Sequence, residues 1–294
     1  MPDENVPPNV RKRLAVELKT LRGDRKQEDV VRALLAIPGS GRWSVSKLSK
    51  IENNQARIQP DEVEDLLTVL GVEDGEMRAR LKLWAKVARR KGRWHQRGRH
   101  LPDNVRDLMD YEDRATVLRI WEPLLIPAAC QHPRWTEQVV LGLEPSITNE
   151  ELARRVEARA ERAIVPGREE PQEWWILLDE RVLRGRVRSL DVQIEQLRYL
   201  IELAALDNVT LQVVPIDVGP HPGLAGWFTL LEFADDSPDI AYTDGIYGSL
   251  YLEDAEDVRR CTLVFGHLLG IALNPTDSIA LINRVIEQLS QELQ

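Results

Sequence analysis

The groups best suited to chemistry in this 294-residue chain are one histidine and a pair of adjacent carboxylates. His221 stands in GPHPGLAG with Gly219, Gly223 and Gly226 around it, and a glycine-flanked histidine beside a sheet can act as a general base. Asp179 and Glu180 follow WWILL and offer paired carboxylates. Neither has a legible nucleophile or phosphate cradle to work with, because GxSxG, HExxH, P-loop and GxGxxG patterns are absent. An acidic pair at a strand end is more often a helix cap. His221 is expected to stabilise a turn or meet a partner or ligand. His95 and His100 lie five apart with no Cys or carboxylate at ligand spacing, so no metal is expected. The chain reads as a non-enzyme without a cofactor.

A different chemistry is offered by WSVSKLSKIENN, Trp43 to Asn54. Ser44 is a good helix N-cap, with Lys47 instead of Glu three residues on. Leu48 and Ile51 must face a core. Ser46, Ser49, Lys50 and Asn53 then face away, with Val45 at the exposed tip. Short polar side chains let a helix backbone approach base edges closely. Serine can donate or accept, Lys50 can reach guanine acceptors, and Val45 can touch a thymine methyl. The charge division agrees. Residues 1–100 hold 22 Lys+Arg against 14 Asp+Glu, a net of +8, which leaves 17 against 34, a net of −17, for residues 101–294. A cationic end and an acidic body favour a polyanion at the N-terminal end only.

The elements that position this stretch are helical. A first helix is expected from about Asn9 to Arg22, stopped by Gly23, and a second from Gln27 to Ala36 with Val30, Val31, Leu34 and Leu35 on one side. A fourth starts at Pro60 and stops at Gly71. Residues 74–92 continue as a long helix with Leu81, Trp84, Ala85 and Ala88 on one side and a basic end, Arg89-Arg90-Lys91. LPDN at 101–104 marks a boundary. The expected organisation is an all-α helix-turn-helix domain over residues 1–73, a basic helical bridge over 74–104, and an α+β domain over 105–294 around one mixed or antiparallel sheet.

Within 105–294, strands are expected near 116–127, 174–179, 209–215, 227–233, 239–244 and 249–254. Helices are expected over 105–115, 128–142, 148–164, 189–206, 255–272 and 276–291, with a surface loop at 165–173. In the 189–206 helix, Ile194, Leu197, Ile201 and Leu203 to Leu206 should face inward. Trp121, Trp135, Trp174, Trp175 and Trp227 crowd this half beside three Phe in the whole chain. Core packing accounts for most of them, and an aromatic pocket for a ligand or a partner's anchor is the sharper alternative; Trp121, His221 and Trp227 are its candidate residues.

The N-terminal residues resemble the lambda-repressor-like (xenobiotic-response-element) helix-turn-helix family. Gln27-Glu28-Asp29-Val30, SKLSKIE at 46–52 and PDEVEDLL at 60–67 carry that resemblance. It implies that Val45, Ser46 and Lys50 touch bases, and that Gln27, Asn53 and Arg57 touch phosphates. Ser44, Lys47 and Ser49 fall on the same expected DNA face. Eight residues, AIPGSGRW, separate Leu35 from Ser44 where the family has about three or four. The longer loop either bulges away, adds a phosphate contact through Arg42, or displaces the third helix.

Leu197 to Phe233, with HPGL and FTLLEF, and GSLYLED at 248–254 resemble actinobacterial helix-turn-helix regulators with a large C-terminal domain of undetermined function. RRKGRWHQRG and IWEPLLIPAACQ extend the likeness over nearly the whole chain, apart from Ala128-Ala129-Cys130, where a glycine and two leucines usually follow the proline. The resemblance implies an antitoxin-like transcriptional regulator, working on double-stranded DNA as a homodimer, with a small partner protein encoded nearby or a small-molecule effector. No run of eighteen apolar residues occurs and the first residues lack an apolar segment, so a cytoplasmic protein without a membrane span is expected. Cys130 and Cys261 are expected as buried reduced thiols.

Overall fold

The structure is a computed structural model, and it describes residues 8–88, 103–163, 171–185, 187, 189–234, 238–245 and 248–294. The basic end of the expected bridge, His95, His100, the first half of the LPDN boundary and most of the 165–173 loop lie outside them. Two compact units are present, and each is described by itself.

The N-terminal unit is all helical: α1 (Pro8–Arg22), α2 (Gln27–Leu35), α3 (Val45–Glu52), α4 (Pro60–Leu70) and α5 (Gly75–Val87). Val10, Leu14 and Leu18 of α1 repeat at four-residue spacing and are almost fully buried. Gly71 ends α4 at φ 74° and Asn54 follows α3 at φ 58°, the left-handed region where glycine and asparagine cost least. Asp74 starts α5 by accepting from the backbone N–H groups of Glu76 and Met77 at 2.9 and 3.2 Å. Leu81, Trp84, Ala85 and Ala88 close the same core as Leu34, Leu48 and Leu67. The helix set apart as a bridge is thus the fifth element of this unit. Leu35, expected inward, is 60% exposed, because it ends α2 one position round from Leu34.

α6 (Asp103–Arg114) is divided between the units, with Val105–Asp110 counted in the first and the rest in the second. The second unit also holds β1 (Val117–Glu122), a 3₁₀ turn (Ala128–Cys130), α7 (Pro133–Leu143), α8 (Asn149–Ala163), β2 (Glu173–Asp179), α9 (Glu180–Arg184), α10 (Leu190–Ala204), β3 (Val209–Val214), β4 (Phe228–Glu232), β5 (Ile240–Gly245), β6 (Gly248–Leu252), α11 (Ala255–Ile271) and α12 (Pro275–Glu292). Six strands form one sheet in the order β3-β2-β1-β4-β5-β6. β1, β2 and β3 run parallel, and β4, β5 and β6 pair antiparallel. The sheet is mixed, as expected.

One face carries Trp121, Leu177, Val214, Phe228, Leu230 and Ala241 against Phe265 and Leu268 of α11. The alternate residues point to the other face, where Tyr111 at the end of α6 meets Tyr251 of β6 with ring centroids 5.3 Å apart. Edge strand β3 is blunted: Ser278 Oγ accepts from Val213 N at 3.0 Å, and Leu273 N donates to Val213 O at 2.9 Å. Three local expectations differ from the structure. Residues 128–130 form only a 3₁₀ turn before Pro133 opens α7. Ala205 and Leu206 lie past the end of α10 and turn outward. Cys130 is buried but Cys261 is only half-buried, and both are free thiols.

Candidate nucleic-acid interface

Helix α3 is fastened from three sides. Leu48 and Ile51 are 0% and 2% exposed in the helical core. Ser44 Oγ accepts from Lys47 N at 3.1 Å and caps the first turn. At the other end Glu52, almost fully buried, accepts from Arg22 Nε at 2.6 Å, Arg22 Nη2 at 3.0 Å and Gln27 Nε2 at 2.6 Å. That network ties α3 to both α1 and α2, and the hydrogen bond to Glu52 is the main cause holding the Arg22 guanidinium above its ordinary pKa.

The lengthened loop does not dislodge this helix. Ser40 Oγ donates to Leu34 O at 2.6 Å, and Trp43 is buried in the core beside Leu48. Lys47 spans the join: its Nζ sits 4.9 Å from the Trp43 ring centroid, reaches Arg42 O at 3.3 Å and pairs with Glu62. Glu62 Oε2 also accepts from Gln59 N at 3.1 Å, so one carboxylate joins the loop, α3 and α4.

The free side of α3 is polar. Ser44, Ser46, Lys50 and Asn53 are exposed, as is Arg42 in the loop. Ser46, Lys50 and Arg42 make no side-chain hydrogen bond or ion pair among the described residues, so their polar ends are available to a ligand. Asn53 Nδ2 is spent on Ser49 O at 2.8 Å, closing the last turn, and also reaches Ser49 Oγ at 3.3 Å.

Four expected contacts are placed differently. Val45 is half-buried and packs against the core instead of standing at an exposed tip, because Trp43 draws the loop inward. Lys47 is committed to Glu62, and the Gln27 amide to Glu52. Arg57 turns Nε and Nη2 inward without a hydrogen-bond partner, so its fork is not presented outward. Sequence reasoning passed over Glu52, Arg22, Trp43 and Glu62. The signal for Glu52 was available: it lies four residues after Leu48, on the buried side, where an acid needs a cation.

In the second unit, Trp121 and His221 come together with ring centroids 5.5 Å apart, edge to face. Trp121 Nε1 donates to Gly223 O at 2.8 Å. Asp179 caps α9 by accepting from Arg181 N at 2.8 Å, as its place at a strand end suggested. Its Oδ2 lies 3.8 Å from His221 Nε2, too far for a hydrogen bond. Burial pulls the His221 pKa down, with Asp179 opposing. Trp227 does not join this pair and stands against Tyr242 at 5.7 Å.

Residues 13–81 match a family described as a helix-turn-helix domain. Residues 105–284, more than half of the chain, match a family described as a domain of unknown function, DUF5753. The chain belongs to the DUF5753 family. No curated protein and no solved structure matches it. In this DUF5753 chain a helix-turn-helix domain, a class of DNA-binding module, precedes the family domain. None of the described helices is long and apolar enough to cross a membrane.

Proposed function

We propose that this protein is a sequence-specific regulator of transcription that lays α3 in the major groove of double-stranded DNA. The observation that carries the reading is the division of α3. One side is locked into the core and, through Glu52, to Arg22 and Gln27, while Ser46 and Lys50 stand exposed with no side-chain hydrogen bond or ion pair among the described residues. In this reading Lys50 and Ser46 address base edges, and Ser44, Arg42 and the α2 N-terminus face phosphates. Lys47 and Gln27 act as positioning residues through Glu62 and Glu52. The protein works as a homodimer on half-sites about one helical turn apart.

Selection from random duplexes, followed by footprinting, tests this. A protected sequence should emerge whose affinity falls steeply with salt. Lys50→Ala should cost about 1–3 kcal/mol on that sequence and little on random DNA, the mark of a base contact. Arg42→Ala should weaken both about equally and lower the salt slope by about one. Equal loss on both DNAs for Lys50→Ala removes it from the base-reading set, and failure to select any sequence defeats the reading.

In this reading the acidic C-terminal unit receives the signal, and His221, packed against Trp121 and 3.8 Å from Asp179, serves its structure. The antitoxin-like alternative, in which that unit holds a small partner protein, is supported only by the sequence resemblance. Co-expression with the neighbouring gene product decides it, a stable complex that changes DNA retention being the expected mark.

A further inference from the structure

The carboxyl end of β1 carries a row of side chains that DNA reading does not use. The β1–β4 register, continued one step past Trp121 and Phe228, sets Glu122 beside Trp227. The β4–β5 register, continued two steps past Thr229 and Tyr242, sets Trp227 beside Asp244, and Asp244 pairs with Ser249 of β6. A bond of 2.8 Å from Thr243 Oγ1 to Trp227 O holds that continuation. Tyr242 lies on the same face, its ring 5.7 Å from Trp227 and 4.9 Å from Tyr251. Its hydroxyl reaches Asp244 Oδ2 and Ser249 Oγ, each at 3.2 Å. α8 packs on the Ala128–Cys130 turn, and its Arg159 and Arg162 act electrostatically on Asp244 and Tyr242 of the row. In sheets of this kind the carboxyl ends of parallel strands are where ligands settle.

The charges at this end are unfinished. Four other enclosed carboxylates have guanidinium partners: Glu112 has Arg162, Asp179 has Arg181, Glu180 has Arg184 and Glu52 has Arg22. Glu122 has no cation among the described residues. Burial away from water and then the nearby Asp244 push its pKa up to about 8, against a weaker pull from the Leu125 backbone N–H. Arg159 pairs with neither acid and donates to Gln131 Oε1 at 2.9 Å. Burial, then the charges of Arg162 and Arg155, bring Arg159 down to about 10. Leu124 and Leu125, directly after Glu122 and Pro123, are 72% and 37% exposed and give this end an apolar rim.

We propose that this end of the sheet binds a small organic molecule with a protonated nitrogen, held by Glu122 and Asp244 beside the half-buried ring of Trp227. Carboxylates beside aromatic faces suit an organic cation. Arg159, within electrostatic reach of Asp244 and with N–H groups to spare, suits an oxyanion on the same molecule, so an amino acid fits better than a bare amine. That such a ligand is a signal rests on the regulator reading; that it binds does not, since titration needs no DNA.

The test is calorimetric titration of the full-length protein with the free amino acids and with their decarboxylated amines, using acetate and phosphate as anion controls. Saturable binding of at least one amino acid is expected, weakened at least about tenfold in Glu122→Gln and Asp244→Asn. At pH 7 binding should also expel a proton, because Glu122 must ionise to meet the cation. The apparent enthalpy should then vary with buffer ionisation enthalpy in the wild type and not in Glu122→Gln. Asp244 acts on Glu122, and the Asp244→Asn variant reports its share of any proton release. The titratable groups around them do not mimic the effect, since Cys130 and Tyr242 are pushed up to about 12, Arg159 is brought down to about 10, and Glu112 is paired with Arg162. Binding of anions alone, no saturable binding, or unchanged affinity in both variants overturns the proposal. A failure here with an intact footprint leaves the DNA reading standing.

Discussion

Glu52→Ala is expected to destabilise the N-terminal unit by about 3–5 kcal/mol, the usual cost of removing one partner of a buried ion pair. Glu52 is 2% exposed and Arg22 15% at the side chain, so water cannot take over the lost contact. Three donors lose their acceptor at once, two from Arg22 and one from Gln27, and α3 loses its tie to α1 and α2. A loss of this size is a large fraction of what a small domain has. Calorimetry of the full-length protein should show the melting of the helical unit moved down by tens of degrees or merged with the baseline, and operator binding lost with it. Lys50→Ala, on the exposed side of the same helix, should leave that melting within about 0.5 kcal/mol of wild type. If Glu52→Ala melts where the wild type does, the network does not hold α3.

The other large effect is expected in the C-terminal unit. Trp121 is fully buried, and Trp121→Ala should cost about 3–5 kcal/mol through lost apolar contact and the cavity left behind. The Gly223 carbonyl loses its indole donor as well. Gly223 shows how close the loop lies: a Cβ there would stand 2.7 Å from Trp121 Cε2 and 2.9 Å from Leu268 Cδ2. Gly223→Ala should therefore cost about 1–3 kcal/mol by overpacking. With the indole gone most of that clash goes too, so the double variant should be less destabilised than the sum of the singles. Urea midpoints of the C-terminal unit measure all three, and strict additivity would show that the loop is not seated on the indole.

Much of the fold was legible because local rules dominate there. Four-residue apolar spacing in α1, the Ser44 cap, Pro60 at the start of α4 and Gly71 after its end each act within a few residues of one another. Most strands also emerged as short apolar runs, since β1 to β5 each bury residues on at least one face. Errors gathered at ends, as at Leu35 and Leu206, where one residue's rotation about a helix axis decides inside from outside.

The site was legible only in outline. That α3 has a polar free side follows from 3.6-residue periodicity alone. Which polar residues remain free does not: Lys47 and Gln27 look as available as Lys50 until Glu62 and Glu52 arrive from other helices to claim them.

By itself, the order of residues determined an all-helical cationic end, a polar recognition face on its third helix and an acidic α+β body, because periodicity, capping and charge are properties of neighbours in the chain. Tertiary structure alone decided that Trp43 seats the long loop and that α5 joins the helical core. It also decided that Glu122 and Asp244, 122 positions apart in the chain, share one row of the sheet with no paired cation among the described residues. Those facts depend on groups distant in sequence competing for the same few hydrogen bonds and charges, and only packing settles which of them meet.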